Sequence, residues 1–210
     1  MKKILLLNFI LVFMLNIQAQ EGIVLPKPQT QGGMPLMEAL SKRKSMRNFD
    51  SSKSFSHQML SNLLWAANGI NRPELAKRTA PSAVNWQQIE IYVAIKEGVY
   101  YYNYLNHSLE LVEVGDYRKE MGKQIFVGDA SAVLVYIADI EKMEGANEKA
   151  IDFYSATDCG NVCQNVYLFC ASESLATVEI GMIEREQIAK RLKIKEKAKV
   201  ILTQPVGYSK

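Results

Sequence analysis

Arg43-Lys44-Ser45-Met46-Arg47 and Ala80-Pro81-Ser82-Ala83-Val84-Asn85-Trp86-Gln87 are the two stretches on which the reading of this chain turns. In an extended segment, residues two apart face the same way. In a helix, Arg43 and Arg47 would be four apart and still neighbours. Either geometry brings two guanidinium groups and the Ser45 hydroxyl toward one point, and guanidinium forks match phosphate oxygens bidentately. On its own the stretch equally fits a solvated basic turn after a helix. In the second stretch, Pro81 fixes its own φ and pushes Ala80 toward extended geometry. Ser82 and Ala83 are small enough for backbone to approach a flat ligand, and Asn85 and Gln87 add amide donors and acceptors. Alone, that pattern also describes a loop that starts a helix.

Outward from these stretches the periodicities place the elements. Leu36 to Lys42 reads as a short helix, with Leu36, Met37 and Leu40 on one face. Ser56 looks like the N-cap of a second helix that carries Met59, Leu60, Leu63, Leu64 and Ala67 and ends at Asn68-Gly69. Ile89, Ile91, Val93 and Ile95 alternate, as a strand does. Val99 to Tyr102 and Leu109 to Val114 form the two arms of a hairpin. Ala132 to Ile137 is a continuous apolar run, predicting a buried central strand. Ala150 to Ala171 predicts a core helix, Glu184 to Leu192 another, and Lys199 to Val206 a final strand, with Leu175-Ala176-Thr177 read as a turn. Helices, then antiparallel strands, then helices and a strand argue for an α+β sandwich. No Gly-x-Gly-x-x-Gly loop of a dinucleotide-binding unit is present.

In this order, with Gln164-Asn165 inside the long helix and Pro205-Val206-Gly207-Tyr208 near the end, the stretches resemble the FMN-dependent nitroreductase family. The resemblance runs from about Met37 to the last residue. It implies a nitroreductase-like sandwich, with a central, mostly antiparallel sheet flanked by helices. It further implies FMN as cofactor, with Arg43, Lys44, Ser45 and Arg47 at its phosphate and ribityl chain. Pro81, Ser82, Ala83, Asn85 and Gln87 would lie over the flavin and reach the cofactor of the other subunit in a homodimer. Gln88 stands where the family usually has proline. A third stretch, Val178-Glu179-Ile180-Gly181, matches the segment whose backbone N–H groups, near Ile180 and Gly181, face the reactive edge of the flavin. A small residue there permits close approach. Ser174 and Ala176 replace the glycines usual before it. Gln164-Asn165 is read as a buried, satisfied amide pair, and Lys210 as a loose terminal residue.

The resemblance implies hydride transfer through flavin N5, to or from small planar acceptors such as nitroaromatics and quinones, in ping-pong fashion. No side chain is expected as a catalytic group, because the cofactor carries the chemistry. The hairpin Gly98 to Val114, followed by Gly115-Asp116-Tyr117-Arg118, resembles the SagB-type dehydrogenase branch. Its members oxidise azoline rings in modified peptides without a nicotinamide donor. A third reading, from the departures at Gln88, Ser174 and Ala176, is an exported binding protein without turnover.

Bulk properties set the outer limits. Lys2 and Lys3, an apolar run from Ile4 to Leu15, and Ile17-Gln18-Ala19 read as a signal peptide over residues 1–19. An exported protein, periplasmic or secreted, is therefore expected. The run is shorter than the roughly 20 residues of a membrane span, so no stable membrane insertion is expected after cleavage. Residues 20–35, rich in Pro, Gly and Gln, read as an extended tether, and residues 36–210 as the flavin-binding domain. NAD(P)H is scarce outside the cytoplasm, so the electron donor stays open between NADH, NADPH and another source. The 25 basic and 22 acidic residues come closer to balance without Lys2 and Lys3, which is no nucleic-acid footprint. Cys159, Cys163 and Cys170 share one helical stripe, cannot pair within a helix, and read as core packing. No zinc spacing and no Gly-x-Ser-x-Gly elbow occur.

Overall fold

A computed structural model of the protein describes residues 22–210. The expected signal segment, 1–19, lies outside the described residues. In chain order the elements are β1 (Ile23–Val24), α1 (Leu36–Lys42), α2 (His57–Asn68), β2 (Ile70–Arg72), β3 (Lys77–Arg78), β4 (Ile89–Ala94), β5 (Gly98–Asn103), β6 (Ser108–Val114), β7 (Ala132–Asp139), α3 (Glu148–Ser172), β8 (Leu175–Thr177), α4 (Arg185–Arg191) and β9 (Ala198–Tyr208). Seven strands form one sheet in the order β1-β6-β5-β4-β7-β9-β8, and β2 pairs with β3 separately. All its pairings are antiparallel, so the fold is α+β.

Strand β7 shows why its sequence is apolar without alternation. It lies between β4 and β9, and both its faces are covered. Ala132, Leu134, Tyr136 and Ala138 pack with α2 and α3 on one side. Val133, Val135 and Ile137 pack on the other with Ile188 and Leu192. Side chains alternate across a strand, so burial of both faces demands an uninterrupted run.

Helix α2 begins as its sequence predicts: Ser56 Oγ accepts the Met59 N–H at 3.2 Å, removing one of the orphan donors of the first turn. It ends at Gly69, where a Cβ would come within 2.7 Å of Trp65 Cα; only glycine permits that approach. Helix α3 is capped by Asn147, whose Oδ1 accepts the Ala150 N–H at 2.9 Å. Cys159, Cys163 and Cys170 are buried on α3 and unpaired, in the core role expected of them.

Three local readings need correction. Leu175–Thr177 is not a turn: its residues are buried, and it pairs with Val206 to Tyr208 as strand β8. Too short to show a period, it is held by β9 rather than by its own propensity. Gln164 and Asn165 are not a buried pair, since Gln164 is exposed while Asn165 Nδ2 donates to the Ala67 carbonyl at 3.2 Å. Consecutive helical positions point about 100° apart, so only one of the two can face α2. Lys210 is not loose: its N–H donates to the Asn48 carbonyl at 3.2 Å, carrying the chain end alongside the Arg43 stretch.

The described part of the expected tether is extended and bonded to the domain. Leu25 N–H donates to His107 O at 3.3 Å, and Met34 N–H to Ser172 Oγ at 2.8 Å. Ser61 Oγ donates to the Pro26 carbonyl at 2.6 Å. With that proton committed, His107 Nε2 is the donor to Ser61 Oγ at 2.7 Å, and His107 Nδ1 accepts from Tyr102 Oη at 2.9 Å. The neutral Nε2–H tautomer satisfies every group in the chain. No described helix is long and apolar enough to cross a membrane.

Candidate flavin site

Helix α1 stops at Lys42, and the backbone turns extended at Arg43. The two-residue period then sorts the side chains. Arg43 and Ser45 both meet Tyr167 of α3: the guanidinium carbon lies 5.2 Å from the ring centroid, and Ser45 Oγ is 3.0 Å from Tyr167 Oη. Lys44 and Met46 instead line an open pocket of about 420 Å³, whose wall also includes Lys42, Tyr167, Ser174 and Leu175. Arg47 is exposed and lies outside that wall.

The third stretch reaches the same place through the backbone. Met46 N–H donates to the Thr177 carbonyl at 2.8 Å, and Glu179 N–H donates to Tyr167 Oη at 2.9 Å. Ile180 exchanges bonds with Thr203 of β9, at 2.8 Å and 3.1 Å, which fixes the loop on the sheet. Gly181 is exposed, and a Cβ there would meet only Leu202 Cδ2, at an ordinary 3.6 Å. The chain's own packing therefore does not require glycine at this position.

Charges of both signs lie near the pocket: exposed Glu173 adjoins its wall and helps to raise the Cys170 thiol, and exposed Glu179 gives its backbone N–H to Tyr167. Glu38 is paired with Lys42 at 2.6 Å, and Asp50 is held by Ser52 and Lys53. The side chains of Arg43, Lys44 and Arg47 have no hydrogen-bond or ion-pair partner among the described residues, and the Arg43 guanidinium lies over the Tyr167 ring. Lys44 on the wall, with Arg43 and Arg47 beside it in the chain, makes a cationic edge suited to an anion. Cys170 lines the pocket, but burial pushes its thiol well above the ordinary value, so it stays a neutral wall group.

The Pro81 stretch sits elsewhere on α3. Asp158 Oδ2 accepts from Ala83 N–H at 3.0 Å and from Gln88 Nε2 at 2.9 Å, with Ser82 Oγ also at 3.0 Å. Ser82 Oγ accepts the Gln87 N–H at 2.8 Å. Gln87 Nε2 donates to Asn85 Oδ1 at 3.1 Å and to the Ala76 carbonyl at 3.0 Å, so these two amides are partly spent within the loop. Pro81 and Asn85 are exposed, Ser82, Ala83 and Gln87 half-buried. Val84, Asn85 and Gln87 all have positive φ, at 47°, 61° and 51°. None of these residues lines the pocket beside Lys44. Asp158 and Tyr167 are nine positions apart on α3, about 14 Å along its axis at 1.5 Å per residue.

Sequence reasoning missed Asp158 and Tyr167, the two α3 residues that hold the stretches. An acid amid the apolar positions of a core helix was the available signal for Asp158, since a buried carboxylate needs donors. Gln88, in place of the usual proline, supplies one of those donors.

Comparison with known proteins identifies the family. The sequence pattern of the nitroreductase family matches residues 40–208. A relative from Methanocaldococcus jannaschii, named "Putative nitroreductase MJ1384", is 34% identical over 182 residues, covering 82% of this chain and 90% of its own. A crystal structure from Ralstonia eutropha JMP134, titled as that of a "putative nitroreductase", is 39% identical, covers 91% of each chain and superposes with a TM-score of 0.86. Another, from Exiguobacterium sibiricum 255-15 in complex with FMN, shares the fold at 18% identity and a TM-score of 0.63, covering 86% of this chain and 91% of that one. The chain belongs to the nitroreductase family, whose members are oxidoreductases.

Proposed function

We propose that the protein is an exported FMN-dependent oxidoreductase that acts as a homodimer on small planar molecules. One observation carries this reading: Lys44, on the pocket wall, is flanked in sequence by Arg43 and Arg47, all three free of carboxylate partners among the described residues, and Tyr167 of the same wall bonds the loop that leads to Gly181. A dianionic phosphate would meet the cations while a flat ring system lies along that loop. The free space beyond Gly181, which a Cβ would enter without a clash, accommodates close approach. The residues present therefore fit flavin mononucleotide.

In this reading, Arg43, Lys44 and Arg47 bind the phosphate, and Ser45 donates to the phosphate or ribityl oxygens. The backbone N–H of Gly181 faces the ring edge; that of Ile180, expected there from the sequence, is instead spent on the Thr203 carbonyl at 2.8 Å. When bound, the flavin supplies hydride transfer at N5 between a donor and an acceptor that use the same ring face in turn. The chain's own groups bind, orient and shield; no side chain is needed as a nucleophile.

The separation of the Pro81 loop from the pocket supports the dimer. Val84 is 81% exposed, and Leu36, Met37 and Phe153 also stand in solvent at 63%, 76% and 63%. A second copy would cover these apolar groups and bring its own Pro81 loop over the first copy's pocket. Export rests on the basic and apolar N-terminus.

Anaerobic titration of the purified protein with NADH, NADPH and dithionite tests the proposal. A yellow protein bleached by either nicotinamide supports it. Bleaching by dithionite alone moves the assignment to a dehydrogenase of the SagB type, whose turnover needs no nicotinamide. Colourless protein that takes up no added FMN overturns it.

A further inference from the structure

Tyr167 touches both the cationic stretch and the loop to Gly181. Its hydroxyl is 3.0 Å from Ser45 Oγ and accepts the Glu179 N–H at 2.9 Å, while its ring lies 5.2 Å beneath the Arg43 guanidinium. It is 8% exposed and forms part of the pocket wall.

The direction of the Ser45 bond follows from counting protons. A tyrosine hydroxyl carries one proton and can also accept. Glu179 occupies an acceptor position. If Ser45 were the donor, the Tyr167 proton would have no acceptor among the described residues, and an unused buried donor is costly. Tyr167 therefore donates to Ser45. The Ser45 proton is then free, and Ser45 is exposed, so that proton points outward.

We infer that Tyr167 is a positioning residue: it sets Ser45 as a donor toward the bound anion and ties the phosphate-binding stretch to the loop facing the ring. This rests on the reading of the pocket as a flavin mononucleotide site. The two ends of the ligand are thereby coupled through one hydroxyl, and a change at Tyr167 acts on both. A change at Ser45 acts on one only.

The test compares Tyr167→Phe and Ser45→Ala by FMN titration of apoprotein, read as flavin fluorescence, and by the midpoint potential of the bound flavin. Tyr167→Phe keeps the ring under Arg43 but loses both hydroxyl bonds. It is expected to weaken FMN binding about tenfold, the size of one charge-assisted hydrogen bond, and to lower the potential, because the Glu179 N–H, two residues before Gly181, loses its acceptor. Ser45→Ala is expected to match the affinity loss and leave the potential at the wild-type value. Unchanged affinity and potential in Tyr167→Phe overturn the inference. If that variant does not fold, Ser45→Ala decides, and unchanged FMN affinity there overturns it equally. Failure of the wild-type apoprotein to bind FMN counts instead against the pocket reading itself.

Discussion

Asp158 Oδ2 accepts the backbone N–H of Ala83 at 3.0 Å, and so the long helix grips the Pro81 loop at its tightest bend. Gln88 Nε2 and Ser82 Oγ converge on the same oxygen. Asp158→Ala leaves the buried Gln88 amide and the half-buried Ala83 N–H without this acceptor, at about 1–3 kcal/mol each. The expected loss is roughly 3 kcal/mol, read from the urea midpoint. Asp158→Asn keeps one acceptor oxygen and should lose less. Wild-type stability in the alanine variant would show that the loop holds its shape without α3.

Val84 is a β-branched residue at φ 47° and ψ 16° on the surface of that loop. A left-handed conformation costs an L-residue about 1–2 kcal/mol, and most for a branched side chain. Glycine relieves that strain but adds freedom to the unfolded chain, worth up to about 1 kcal/mol. Val84→Gly should therefore raise stability by about 0.5–1 kcal/mol in the apoprotein. A substitution that destabilises would mean that the exposed isopropyl group makes a contact worth more than the strain, such as one in a dimer.

Burial holds His107 below the ordinary histidine value, countered in part by the Pro26 carbonyl. The folded state then binds fewer protons than the unfolded state between the lowered value and about 6.5. Stability rises with pH across that window and is lost as pH falls through it. Chemical denaturation between pH 7 and 5 should show this limb. His107→Asn should flatten it, since asparagine tolerates the local φ of 48°. An identical slope in wild type and variant would place the titration elsewhere.

The chain gave up its long elements readily, because their patterns answer to burial. The run 132–137 could only be a strand covered on both faces, and Ser56 could be read as a cap because its hydroxyl has a local job. What stayed hidden was set at long range. Strand β8 exists because β9 lies beside it. The apolar face of α1 points outward while Ala39 is buried, and no local pattern says which side α3 will take. The Arg43 stretch was legible by residue type, but its division into two faces was not: Tyr167, the side chain that Arg43 and Ser45 meet, lies more than 120 positions on. In the Pro81 loop, Ser82 and Gln87 were expected to face a ligand, yet Asp158 and Ala76 claim much of their bonding.

The central claim is that the cations at 43, 44 and 47 hold a flavin by its phosphate, and it is tested most directly by comparing FMN with riboflavin. Apoprotein titrated with each, at low and high salt, should bind FMN at least tenfold more tightly, with the advantage shrinking as salt rises. In Arg43→Ala/Lys44→Ala/Arg47→Ala, FMN affinity should fall toward the riboflavin level while riboflavin binding stays as it was. Equal affinity for the two ligands in the wild type, or an undiminished FMN advantage after loss of all three cations, would contradict the account.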